Sequence, residues 1–199
     1  MPINIVLENV RASYLSLFTA KAFKPGDKEK YSATAIMDKA KNVAAIKLVQ
    51  ATIKAVGDEK WGAGKWPKLK GTCLHEGTER RDPQKYPDSN GYPDGYGPGC
   101  MYLSASTDKR ISVVDRDLTP IGEEDLKVYS GCYINMSVQI FAMDDKKHPE
   151  YGKGIYASLR TVQFVRKGDA FGSAPADPTK EFKALPAEDD ATAGDPALE

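Results

Sequence analysis

The chain has 199 residues, of which 41% are hydrophobic and 28% charged, with 28 basic and 28 acidic side chains. These proportions suit one globular domain with elaborations or a tail. No apolar run exceeds four residues, and the three cysteines (Cys73, Cys100, Cys132) are odd in number and widely spaced. A membrane span and a signal-peptide core are thereby excluded, the cysteines argue against a secreted disulfide scaffold, and a cytoplasmic protein is expected.

The opening "INIVLENVRASYLSLF" (3–18) alternates enough for one or two strands. "KYSATAIMD" (30–38) reads as another, joined to it by the turn-like "KPGDKEK". Residues 42–57 differ: Val43, Ile46, Val49, Ile53 and Val56 recur at helical spacing, with Asn42 placed to cap the start and Gly57 to end it. From 60 to 100 no period is visible, and so long a loop inside a domain signals function or hidden structure. Strand patterns return at 100–106 and 111–115. The clearest is "GCYINMSVQIFAM" (131–143), where Ile134, Met136, Val138, Ile140 and Ala142 share one face and Tyr133, Asn135, Ser137, Gln139 and Phe141 the other. A last strand begins at "GIYASLR", with Ile155, Ala157 and Leu159 alternating with Tyr156, Ser158 and Arg160. Several strands, one interior helix and long excursions predict a mainly β protein, a small barrel with one helix.

The zero net charge is unevenly spread. Residues 172–199 hold seven acids and two lysines, and residues 1–171 hold 26 basic and 21 acidic residues. With four prolines and one aromatic, Phe182, the tail cannot bury enough surface to offset its ordering entropy. The expected organisation is a mildly basic domain over 1–171 and a disordered acidic tail over 172–199.

Three stretches carry candidate chemistry. "KWGAGKWPKLKG" (60–71) interleaves Trp61 and Trp66 with lysines, including Lys65 and Lys68, and has no acid. That pattern suits single-stranded nucleic acid, with lysines on phosphates and rings on bases. Equally, the tryptophans can fold back onto the barrel. Tyr102, Tyr133, Tyr156 and Arg160 place aromatics or a cation opposite apolar strand faces, which suits either a stacking platform or ordinary cross-strand pairs. The loop "YPDSNGYPDGYGPG" (86–99) holds three tyrosines with Asp88 and Asp94 and no cation. Its rings either pack locally or stack on bases, and it is no main phosphate contact.

Catalytic patterns are thinner. Asp115 and Asp117, with Glu123, Glu124 and Asp125 following, could assemble a metal-dependent nuclease or resolvase site, the rival reading. Cys73-x-His75 lacks a C-x-x-C partner for zinc, and buried cysteines acting as small apolar residues fit better. With no phosphate-loop motif, and His148 the one other histidine, neither a cofactor nor a catalytic group is expected.

Taken in order, "VRASYLSLF…KYSATAIMDK", "LHEGTERRD", "MYLSAS…VVD", "VYSGCYINMSVQIFAM" and "GIYASLRTVQFVRKGDAFG" resemble a phage-encoded single-stranded DNA-binding protein family. The likeness covers about residues 5–172, and "YSGCY" and "GDAFG" are its most specific parts. It implies an OB-fold, a five-stranded Greek-key barrel with long loop insertions, that coats single strands during phage replication, recombination or repair in the host cytoplasm. Phosphate contacts are then expected from Lys65, Lys68, Arg80, Arg81, Lys109 and Arg110. The acidic end (Glu188, Asp189, Asp190, Asp195, Glu199) resembles tails that contact replication or recombination partners and compete with DNA. Self-association is left open. The 86–99 insertion departs from the commoner family pattern, so no family role passes to Tyr86, Tyr92 and Tyr96.

Overall fold

The computed structural model describes residues 1–144 and 152–172. Strand β1 (Ile3–Lys21) is a single 19-residue strand. Its alternation is interrupted by register shifts between Leu7 and Val10 and between Ser13 and Ser16, with Asn9 and Tyr14 each at φ 47°. Bulges bend a strand and increase its twist, which lets one long strand run between two neighbours: its first half pairs with β7 (Tyr133–Asp144) and its second with β2 (Lys30–Asp38).

β2 pairs with β5 (Cys100–Thr107), and β7 with β8 (Lys153–Arg166). Beyond the β5 turn, β6 (Ser112–Val114) runs parallel to β8 and brings the two sheet edges together. Five principal strands, with β6 continuing β5, thus form a nearly closed OB-like barrel. Two short strands were invisible as a pattern: β3 (Gly71–Thr72), parallel to β8, and β4 (Leu74–Glu76), antiparallel to β5.

Inward residues match the strand period. Ala33, Ala35 and Met37 of β2 face Ile134, Met136, Val138 and Ile140 of β7 within one core. All three cysteines are buried and unpaired, and burial pushes the Cys73 thiol up to about 12.

Helix α1 (Val43–Trp61) lays Ile46, Val49 and Val56 into that core but runs four residues past the expected end. Gly57 does not stop it. A Cβ there would lie 2.1 Å from Trp66 Cζ2, so the glycine opens the surface on which the Trp66 ring rests. The helix stops at Gly62, φ 87°. Asn42 does not cap forward either; its Oδ1 accepts from the Asp38 amide at 3.0 Å. Among the described residues no helix is long and apolar enough to cross a membrane.

Candidate nucleic-acid interface

The outer face of β1, β2 and β5 is built by register. Arg166, Tyr133, Arg11, Ile36, Tyr102 and His75 are successive Cα partners across β8, β7, β1, β2, β5 and β4, so all six project from the same side. The Arg166 guanidinium lies 3.3 Å from the Tyr133 ring centroid, and Arg11 lies 5.9 Å from it. His75 stacks on Tyr102 at 4.9 Å and 16°. The next rows are Ser13, Thr34 and Ser104, then Ser32 and Ser106, a floor of small hydroxyl residues in which Thr34 and Ser104 share a 3.2 Å hydrogen bond.

Arg80 comes from a short 3₁₀ turn (Gly77–Arg80) directly after β4. Its guanidinium sits 4.9 Å from Tyr14, 5.0 Å from Tyr102 and 5.9 Å from Tyr96. Its Nε is buried with no hydrogen-bond partner. Cation–π contact holds such a group without neutralising it. Tyr14 reaches Arg80 because the β1 bulge holds a bulky residue at positive φ, a conformation that costs energy and marks functional surfaces. Burial raises the hydroxyl pKa of Tyr14 and Tyr102, and for Tyr14 a hydrogen bond with Tyr86 adds to it. Both rings stay neutral.

The 86–99 loop is folded onto this face. The Asp82 amide donates to Gly91 O at 2.6 Å, Gly91 N donates to Tyr86 O at 3.0 Å, and Tyr96 N donates to Pro93 O at 3.0 Å. Tyr96 meets Tyr102 edge-on at 5.3 Å. Gly95, φ 80°, passes so close that a Cβ would lie 2.5 Å from Phe171 and 3.2 Å from Ile36. This cover explains why outward-facing Ile36, Tyr102 and Ser13 are only 4–5% exposed. After β8 the chain returns as a strap: Arg11 donates to Asp169 O at 2.9 Å and lies 4.5 Å from the Phe171 ring, and Gly172 N donates to Asp94 at 2.7 Å.

Beyond Tyr14 the hydroxyl floor lies in an open groove of 690 Å³, bordered by Lys21, Lys28, Lys30 and Phe23 of the β1–β2 hairpin. Phe23 is 85% exposed at that rim. The β5–β6 turn closes on the hairpin through a 2.8 Å Lys28–Asp108 ion pair, leaving Lys109 and Arg110 exposed beside it.

The residues singled out from sequence therefore divide. Arg80, Tyr102 and Tyr133 lie on one face, with Lys109 and Arg110 at its rim and Arg81 exposed next to Arg80. Trp61, Trp66, Lys65, Lys68 and Tyr156 lie elsewhere. Trp66 donates to Asp58 at 2.9 Å and Trp61 to Asp144 at 3.3 Å, and the two rings sit 6.1 Å apart against the core. Tyr156 pairs with Phe141, eight residues along β7 from Tyr133, and rests on Gly71 and Gly154. Arg160 stands exposed at a β8 register shift. Glu188, Asp189, Asp190, Asp195, Glu199 and His148 lie outside the described residues.

Arg11, Tyr14, Phe23, His75 and Arg166 were missed, since their shared face depends on bulges and on pairings far apart in sequence. The carboxylates of the rival reading are spent locally. Asp115 pairs with Lys127 and accepts from the Arg116 amide, and Asp117 accepts from Thr119 N, so both are held below the usual aspartate range. No group of three metal-ligating side chains forms among the described residues.

Residues 3–192 match the family described as Enterobacter phage Enc34, ssDNA-binding protein. Protein p50 of Acyrthosiphon pisum secondary endosymbiont phage 1 is 36% identical over 189 residues, covering 91% of this chain and 93% of that protein. Of solved structures, the bacteriophage Enc34 single-stranded DNA-binding protein in complex with ssDNA superposes with a TM-score of 0.67 at 22% identity, over 85% of this chain and 89% of the other. Gp2.5, a single-stranded DNA binding protein encoded by bacteriophage T7, gives 0.54 at 12%, over 92% and 96%. At such identities the two structures speak to the fold alone. The sequence match spans almost the whole chain, and this protein belongs to the Enterobacter phage Enc34 ssDNA-binding protein family.

Proposed function

We propose that this protein is a non-catalytic, sequence-tolerant binder of single-stranded DNA that coats strands exposed during phage replication, recombination or repair. The observation that carries the reading is the six-strand row from Arg166 to His75 with Arg80 beside it, where cations lie on aromatic faces. Arg80 and Arg166 form no ion pair with a carboxylate within 4 Å among the described residues, although the charge of Arg80 reaches Glu79. Such cations are available to phosphates while the exposed rings of Tyr14 and Phe23 stack on bases, each stack contributing roughly 1–3 kcal/mol. Lys109 and Arg110 at the rim extend the phosphate track. Family membership supports the same ligand.

The acidic tail is assigned to replication or recombination partners, and its launch point supports a second role. Phe171 and Gly172 are clamped on the binding face, so an acidic segment attached there competes with a strand at an effective concentration of about millimolar. Deleting residues 173–199 should tighten strand binding, most at low salt. The reading as a whole is tested by titrating labelled oligothymidine across salt concentrations. Affinity should fall with a log–log slope of about −0.7 for each phosphate neutralised. Binding that ignores salt, or strand cleavage with magnesium or manganese, would overturn it.

A further inference from the structure

Tyr14 separates two hollows. On one side lies the groove with its hydroxyl floor and lysine rim. On the other, beneath the 86–99 loop, is a hollow of 620 Å³ bounded by Ser13, Tyr14, Tyr86, Asp88, Tyr96 and Phe171. That volume falls within the roughly 300–1,000 Å³ of small-ligand sites. Four aromatic rings, Tyr14, Tyr86, Tyr96 and Phe171, contribute to its lining, which is open to solvent on one side. Its charge is the reverse of the groove's: Asp88 and Asp94 face it against the single cation Lys85, which lies 5.4 Å from the Tyr86 ring. Asp94 already accepts from Gly172 N, whereas the exposed Asp88 carboxylate is uncommitted among the described residues.

A phosphate is repelled by two carboxylates, so the strand's backbone belongs on the groove side. A nucleobase is flat and neutral, and it fits between rings. Taking one base out of a single strand costs little, since no pairing is broken. Once inside, an exocyclic amine can donate to a carboxylate, as cytosine N4 does; thymine has no such amine. We propose that the hollow beneath the 86–99 loop is a nucleobase pocket, in which one base turns past Tyr14, stacks beside Tyr86 and donates its amine to Asp88. The proposal rests on the single-strand reading above. It makes the protein a tolerant track with one station that reads amino-bearing bases, and it gives the tyrosine-rich insertion a ligand.

The test uses the full-length chain with oligocytidine and oligothymidine of equal length at neutral pH, measured by fluorescence anisotropy. The wild type should bind oligocytidine about tenfold more tightly, the scale of one charge-assisted hydrogen bond. Asp88→Asn should bring the two affinities together while leaving oligothymidine binding within about twofold. A thermal melt of the variant checks that its fold is kept. Equal wild-type affinities, a preference that survives Asp88→Asn, or a variant that loses oligothymidine too would each overturn the pocket. In the first two cases salt-sensitive oligothymidine binding by the wild type would leave the single-strand reading standing. A wild type that binds neither strand would overturn both.

Discussion

Two aromatic groups lie toward opposite ends of β7 and differ in how their neighbouring charges are used. The Tyr133 row and the Phe141–Tyr156 pair are eight residues apart on that strand, about 26 Å at 3.3 Å per residue. Beyond Phe141, each indole N–H is met by a carboxylate, Asp58 or Asp144, and each carboxylate also pairs with a lysine, Lys54 or Lys153. Those two carboxylates are closed off, although Lys65 and Lys68 stand exposed beside them. At the tyrosine face, Arg80 and Arg166 lie over rings, which orient a guanidinium without cancelling its charge. Interleaved lysine and tryptophan in a sequence can therefore belong to rings that pack onto the core. On the proposed reading, what marks the strand site is a cation whose internal partner is a π-face rather than an acid.

The comparison breaks most sharply at Trp66. Trp66→Ala should lower stability by about 3 kcal/mol, because the ring fills the surface opened by Gly57 and no other side chain is placed to replace it. Strand affinity of the folded fraction should not change. Urea unfolding and anisotropy titration together check this; weakened binding at unaltered stability would move the tryptophan end into the interface. A smaller effect with the opposite signature is expected from Arg80→Gln. Affinity should drop by roughly 1.5–3 kcal/mol, as for a charge-assisted contact, and the salt slope should flatten by about 0.7. If Arg80→Gln alters stability alone, the tyrosine cage is packing and the distinction between the two ends fails.

How much of this was legible depended on whether the signal was local. The alternation in 131–143 survives intact as β7, since both of its faces are set by a period of two. The helix was legible in its apolar stripe but not in its length. Gly57 carries a weak stop signal in isolation, and the tertiary contact with Trp66 gives it another purpose. The site was harder. Tyr102 and Tyr133 stood out because they break an apolar pattern, and Arg80 because it lies in a quoted motif. Arg11 and Tyr14 lie in a quoted motif too but were not singled out, since register shifts along β1 rotate residues between faces and a bulge leaves no period to read. Of the two readings of the 86–99 loop, local packing is the one its contacts show, with Tyr96 against Tyr14 and Tyr102.

The smallest expected effect separates the two ends by pH. Asp58 is held below the usual aspartate range by the hydrogen bonds from Lys54 and Trp66. A depressed carboxylate contributes stability that is complete above its unfolded pKa, about 3.9, and is lost as pH falls through the folded value. Tyr14 and Tyr102 are raised, chiefly by burial. A raised phenol contributes stability that is complete below its unfolded pKa, about 10, and is lost as pH climbs toward the folded value. The tryptophan end should therefore weaken in acid and the tyrosine face in alkali. Tryptophan emission should follow the acid limb below about pH 4, and tyrosinate absorbance the alkaline one. Asp58→Asn should flatten the first and leave the second unchanged. An acid limb identical in wild type and Asp58→Asn would mean that the Lys54–Asp58–Trp66 contacts do not stabilise the fold, and the closed character of that end would rest on packing alone.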